Sequence, residues 1–153
     1  MSLPERLESS GRLAPLGNEE LLDGLLQAWR LLGGSNARPL SPMLLGGQLL
    51  RPRFTVSVAG AERSHRLGES LWLAALGVQL AHEASLLHDD VIDGAATRRG
   101  LPTLLKRKGV GAAIVGGDHL LASGYLAIAR AGNPELALAF AQAIDRTIAG
   151  ELA

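Results

Sequence analysis

The chain has 153 residues, 47% of them hydrophobic and 20% charged, which excludes intrinsic disorder and fits one domain or part of a larger one. Lys+Arg and Asp+Glu both number 15, and a formally neutral chain with no basic block is a poor nucleic-acid binder. The absence of cysteine excludes disulfide scaffolds, thiolate metal sites and cysteine nucleophiles, and 3% aromatic content favours helices packed through small residues over a strand-rich fold.

Residues 1–17 contain Pro4, Gly11, Pro15 and Gly17 and read as a loose leader. Asn18, followed by Glu19 and Glu20, reads as the capped start of a first helix. Leu21, Leu22, Leu25, Leu26, Trp29 and Leu32 then recur at helical spacing until Gly33-Gly34. A Pro- and Gly-rich connection over 35–47 leads to a second helix, expected from about Pro52, a first-turn proline, to Val58.

The third helix is the strongest pattern, running from Leu71 to about Asp93. Its apolar residues wrap most of the circumference, which marks a buried helix, and Gly94 ends it. A short helix over Pro102–Lys108, a long one over Val110–Ala131 and a last one from Pro134 to the chain end complete an all-α reading, with no alternating strand pattern. The last helix reaches Ala153 without a stop signal, so 134–153 looks like an interior segment of something longer. No run of 18 apolar residues occurs, because Gln79, His82 and Glu83, or Asp118 and His119, interrupt the longest candidates. Glu5, Arg6 and Glu8 stand where a signal peptide needs an apolar stretch. A cytoplasmic protein without a membrane span is the expectation.

Asp89, Asp90 and Asp93 gather at the C-terminal end of the third helix, where the helix dipole disfavours acids. Asp89 and Asp93 are also a like-charge pair one turn apart. Divalent cations explain such a cluster, and oxygen-only ligands favour Mg²⁺; a solvated polar helix end explains it too, and the three residues alone leave both open. Arg98 and Arg99 follow the helix, Arg51 sits in the Gly46–Pro52 turn, and His82 lies two turns before Asp89, about 10 Å away at 1.5 Å per residue. Arginine forks and glycine-flanked N–H groups bind phosphate oxygens, so the conjunction points to two phosphorylated ends held side by side. Singly, His82 reads as a core histidine and the arginines as surface charge.

At these residues the chain resembles the trans-isoprenyl diphosphate synthases, or polyprenyl synthetases. Leu86–Asp93 followed by Thr97–Thr103 resembles their first aspartate-rich motif with its RRGxPT tail; Gly46–Pro52 is similar to their GGKxxRP turn, Gly117–Leu121 to GDxLL, and Gly150-Glu151 to a later GE. The resemblance implies an isoprenoid-synthase-type helical bundle, here its N-terminal helices over 18–153, usually a homodimer. It implies that Asp89, Asp90 and Asp93 hold Mg²⁺ and are catalytic, that Arg98 contacts an allylic diphosphate, and that Gly47, Gln48, Arg51, His82 and Arg99 form an isopentenyl diphosphate site. The implied reaction is Mg²⁺-dependent head-to-tail condensation of these two substrates. The small Ala84 and Ser85, at the positions where bulky family residues stop elongation, imply a C20 or longer product.

Two departures stand out. Gln48 replaces the family's usual Lys, and the family chain is about twice as long, with a second aspartate-rich motif not present here. The chain is therefore expected to hold half an active site, completed by a second copy or by a partner that supplies the missing C-terminal half. The alternatives are a non-catalytic or partner-dependent subunit of a heteromeric prenyl synthase, a terpene cyclase of the same fold, and a non-catalytic helical protein with a fortuitous acidic cluster.

Overall fold

The computed structural model describes residues 17–33, 48–62 and 68–153, which form two compact units divided between Leu76 and Gly77. Except for Gly17, the expected leader lies outside the described residues, as does the 35–47 connection.

In the first unit, α1 (Asn18–Leu31) is capped by Gly17 rather than by Asn18. Glu20, three residues into the helix, reaches back so that its Oε2 accepts the Gly17 N–H at 2.9 Å. Asn18 is thereby released to accept a hydrogen bond from the Arg53 guanidinium. Leu21, Gly24, Leu25, Ala28 and Trp29 form the buried stripe. Gly24 faces the Trp72 ring so closely that a Cβ would lie 2.5 Å from its carbons. The helix stops at Leu32 and Gly33, whose φ of 85° suits a glycine after a helix end.

Helix α2 (Leu50–Glu62) starts two residues earlier and ends four later than its local pattern indicates. Pro52 is its third residue, where the missing N–H has no intrahelical partner to lose, and no proline follows Val58 to stop the chain. Pro52 and Val56 are buried. Leu49, also buried, turns into the helix with a φ of 48°, a conformation uncommon for a branched side chain.

Helix α3 (Glu69–Ile92) begins in the first unit and continues into the second. Leu73–Gly77, Gln79–Ala81, Glu83, Ala84 and Asp90 are all buried, as the circumferential apolar pattern requires. In the second unit α3 meets α5 (Val110–Arg130) through glycine: a Cβ on Gly77 would lie 2.7 Å from Ile128 Cγ1 and 3.0 Å from the Gly124 carbonyl oxygen. Ala113, Gly117, Leu120, Gly124, Ala127 and Ile128 make the buried stripe of α5. By length and composition alone α5 is long and apolar enough to cross a membrane, even with Asp118 and His119 interrupting its apolar run; its small-residue stripe packs on α3. Helix α6 (Pro134–Glu151) follows a tight turn in which Asn133 Oδ1 accepts the N–H groups of Glu135 and Leu136 at 3.0 and 3.1 Å. Tyr125 and Phe140 join α5 to α6 edge to face, with ring centroids 5.2 Å apart.

Between α3 and α5 the chain departs from the all-helical expectation. The Ala95 N–H bonds to the Asp90 carbonyl at 2.9 Å and the Gly94 N–H to that of Val91 at 3.3 Å, a Schellman closure with Gly94 at φ 63°. A two-residue strand β1 (Thr97–Arg98) then pairs antiparallel with β2 (Leu101–Pro102), Arg98 opposite Leu101. Arg99 and Gly100 join them with φ of 52° and 76°, the signature of a type I′ hairpin turn. Two residues per strand are too few to register as alternation, which is why the ribbon escapes a periodicity search. Because Pro102 is taken by β2, α4 (Leu104–Lys108) starts two residues later than expected, with Thr103 as its cap.

Thr103 closes this segment. Its buried hydroxyl donates to the Ala95 carbonyl at 2.7 Å and accepts the Lys106 N–H at 3.1 Å, while its backbone N–H bonds to the Ala96 carbonyl at 3.1 Å. Thr103→Val keeps the shape and removes both hydroxyl bonds, so it is expected to cost about 1–3 kcal/mol, with Thr103→Ser largely spared. Urea denaturation of the two variants measures the difference.

Candidate functional site

The carboxylates at the end of α3 do not behave as three equivalents. Asp90 is 3% exposed and its Oδ1 accepts Arg98 Nε at 2.7 Å, a charge-assisted bond. The Schellman turn and the ribbon produce it, by folding the chain back so that residues eight apart meet. Asp89 is half-buried and Asp93 exposed, one turn apart on the same side of the helix. Among the described residues no three His, Asp or Glu side chains form a metal-holding group. Mg²⁺ uses only one or two protein carboxylates and completes its shell with phosphate oxygens and water, so the Asp89–Asp93 pair fits that ion while Asp90 faces Arg98.

Arg99 turns toward a different acid. Its Nη1 lies 3.9 Å from Oε1 of Glu83, which is buried in α3 and also accepts Gln79 Nε2 at 2.8 Å. Sequence reasoning names Glu83 and Gln79 only as breaks in an apolar run and gives them no role at the site. The signal was present: two polar residues four apart in an otherwise apolar buried helix. His82 is half-buried and its carbonyl accepts the Ser85 hydroxyl at 2.9 Å. Ala84 is buried and Ser85 half-buried, so both small side chains lie against neighbours rather than in solvent.

The GDxLL segment on α5 acquires a structural reason. His88 Nε2 lies 3.3 Å from Asp118 Oδ1 and 3.4 Å from the Ile114 carbonyl oxygen. A Cβ on Gly117 would fall 2.2 Å from that same nitrogen, so glycine is what lets the imidazole lie on the α5 backbone beside the asparate-rich helix end. His88, Gly117 and Asp118, to which the sequence assigns no role, thus tie α5 to the turn that carries Asp89.

Gln48 and Arg51 lie in the first unit, both exposed, on either side of the strained Leu49; the Arg51 carbonyl accepts the Thr55 hydroxyl at 2.9 Å. Gly47 lies outside the described residues.

The class to which this helical fold belongs is the isoprenoid-synthase helical bundle, by its likeness to solved structures. A solved heptaprenyl diphosphate synthase from Staphylococcus aureus matches 91% of this chain with a TM-score of 0.76 and 27% identity, over 45% of its own length. The family model described as polyprenyl synthetase matches residues 36–153, and the chain belongs to that family. Among curated relatives, an all trans-polyprenyl-diphosphate synthase of Mus musculus is 36% identical over 69% of this chain and 27% of its own length. Heptaprenyl diphosphate synthase component 2 of Geobacillus stearothermophilus is 36% identical over 70% of this chain and 33% of its own. The chain thus spans about a third or less of the length of these curated relatives.

Proposed function

We propose that this chain carries the first diphosphate-binding half of a trans-prenyltransferase that condenses isopentenyl diphosphate head to tail with an allylic diphosphate. The observation that carries this is the ribbon placing Arg98 beside Asp90 at the carboxylate end of α3, in a member of the polyprenyl synthetase family. Asp89 and Asp93 hold Mg²⁺ against the allylic diphosphate, and Asp90 orients the Arg98 guanidinium toward the same group. The family resemblance assigns isopentenyl diphosphate binding to Arg99 and His82 and, separately, to Gly47, Gln48 and Arg51, with Gln48 contributing hydrogen bonds where a Lys would add charge. Mg²⁺ held by Asp89 and Asp93 would supply Lewis acidity to a leaving diphosphate, the charge compensation that ionisation of an allylic C–O bond needs. The isopentenyl double bond then attacks the cation, and a proton is lost from the adduct. Apolar residues of the buried α3 exclude water from the cation.

A product of C20 or longer is supported by the small Ala84 and Ser85 and by the heptaprenyl products that relatives are named for. Ser85→Phe is expected to shorten the product, read by chromatography of the extracted prenyl alcohols. A second reading, a subunit that works only with a partner, is supported by the likeness to a component 2.

The experiment is incubation of the purified chain with Mg²⁺, labelled isopentenyl diphosphate and allylic primers of increasing length. Elongation by the chain alone supports completion of the site by a second copy, and elongation only with an added partner subunit supports the second reading. Failure of the chain to bind allylic diphosphate in a Mg²⁺-dependent manner would overturn both.

A further inference from the structure

A carboxylate inside a helical core is costly unless charge and hydrogen bonds compensate it. Glu83 is such a group: 3% exposed, on the most buried helix, with no part in the metal chemistry of the helix end. Gln79, one turn earlier, donates to its Oε1 at 2.8 Å and so fixes the rotamer, and Arg99 Nη1 stands 3.9 Å from that same oxygen. Arg99 lies 16 residues further along the chain and is brought there by the type I′ turn, in which it adopts a φ of 52°.

From this we infer that Glu83, oriented by Gln79, is a positioning residue for Arg99, holding its guanidinium ready for the diphosphate of isopentenyl diphosphate. The ligand assignment rests on the function proposed above; the Gln79–Glu83–Arg99 linkage does not. A guanidinium has five N–H donors, and the Glu83 contact is made through Nη1. At 3.9 Å the Nη1–Oε1 contact is a charge attraction beyond hydrogen-bond length, one that orients the guanidinium without fixing it in place. Preorganisation of this kind lowers the ordering cost at binding.

The test uses ¹⁵N-labelled full chain and the arginine side-chain resonances, assigned through Arg99→Lys. Glu83→Gln is isosteric and removes the charge. It should shift the Arg99 Nε–H resonance and speed guanidinium rotation, with Gln79→Met giving a smaller change in the same direction and remaining informative if Glu83→Gln does not fold. Titration with isopentenyl diphosphate should move the Arg99 resonance in the wild type, and Glu83→Gln should weaken binding on the order of tenfold. In the Arg99→Lys background the Glu83→Gln penalty should be largely lost, because Glu83 acts through Arg99. Arg99 signals that respond to the ligand but ignore both substitutions, or penalties that add in full, would overturn the inference alone. Signals that respond to the substitutions but never to the ligand would overturn the proposed isopentenyl site and with it the role assigned to Glu83.

Discussion

Gly77→Val is expected to destabilise the protein by about 3 kcal/mol or more, at the upper end of overpacking substitutions. The first added carbon already falls 2.7 Å from Ile128 Cγ1 and 3.0 Å from the Gly124 carbonyl oxygen. The isoleucine has rotamers to try, but the carbonyl belongs to the α5 backbone and moves only if the helix does. The approach is mutual, since a Cβ on Gly124 would lie 3.1 Å from the Gly77 carbonyl oxygen. Every residue except proline is a better helix former than glycine, by up to about 1 kcal/mol for alanine, and that gain is smaller than the steric cost here. Gly111→Ala supplies the control: its Cβ would meet nothing within 4 Å, so a gain of roughly 0.5 kcal/mol is expected. Thermal and urea denaturation of both variants should therefore give opposite signs, and a stable Gly77→Val would mean that α3 and α5 do not pack as closely as described.

Asp89→Asn is expected to separate stability from activity. Asp89 occupies the last turn of α3, where the dipole disfavours a negative charge, and it repels Asp93 one turn on. Neutralising it should leave the fold equally stable or more stable, by about 0.3–1 kcal/mol. Asp90 lacks this conflict because Arg98 compensates it, so Asp90→Asn should instead destabilise. In the assembly that performs prenyl transfer, Asp89→Asn should lower the Mg²⁺-dependent rate on the order of a hundredfold or more, as removal of preorganised charge stabilisation does. Initial rates at saturating primer, alongside denaturation curves, check both halves. A variant that unfolds while any folded fraction turns over normally would make Asp89 a structural carboxylate.

The elements most legible in the sequence were those set by local periodicity. The long buried α3, the start of α6 at Pro134 and the glycine stop at Gly94 follow from apolar spacing and backbone chemistry within a few residues. Less legible were boundaries that depend on a competing contact. Asn18 is a good cap by type, yet Glu20 satisfies the Gly17 N–H and α2 supplies Asn18 with Arg53. The β1–β2 ribbon was invisible because its signal is one Arg-Gly turn with positive φ, not an alternation.

The aspartates and arginines of the candidate site, their order along the chain and their likeness to one family were determined by the sequence alone. What it left open was which of those charges face one another. Asp90 with Arg98, Glu83 with Arg99 and His88 with Asp118 are pairs separated by 8, 16 and 30 residues. Each depends on a chain reversal or a helix contact: the Schellman turn, the type I′ hairpin, and the glycine face of α5. Local spacing specifies which side of a helix a residue occupies, but a pairing across elements exists only once packing has set their separation, and that is decided by the tertiary structure.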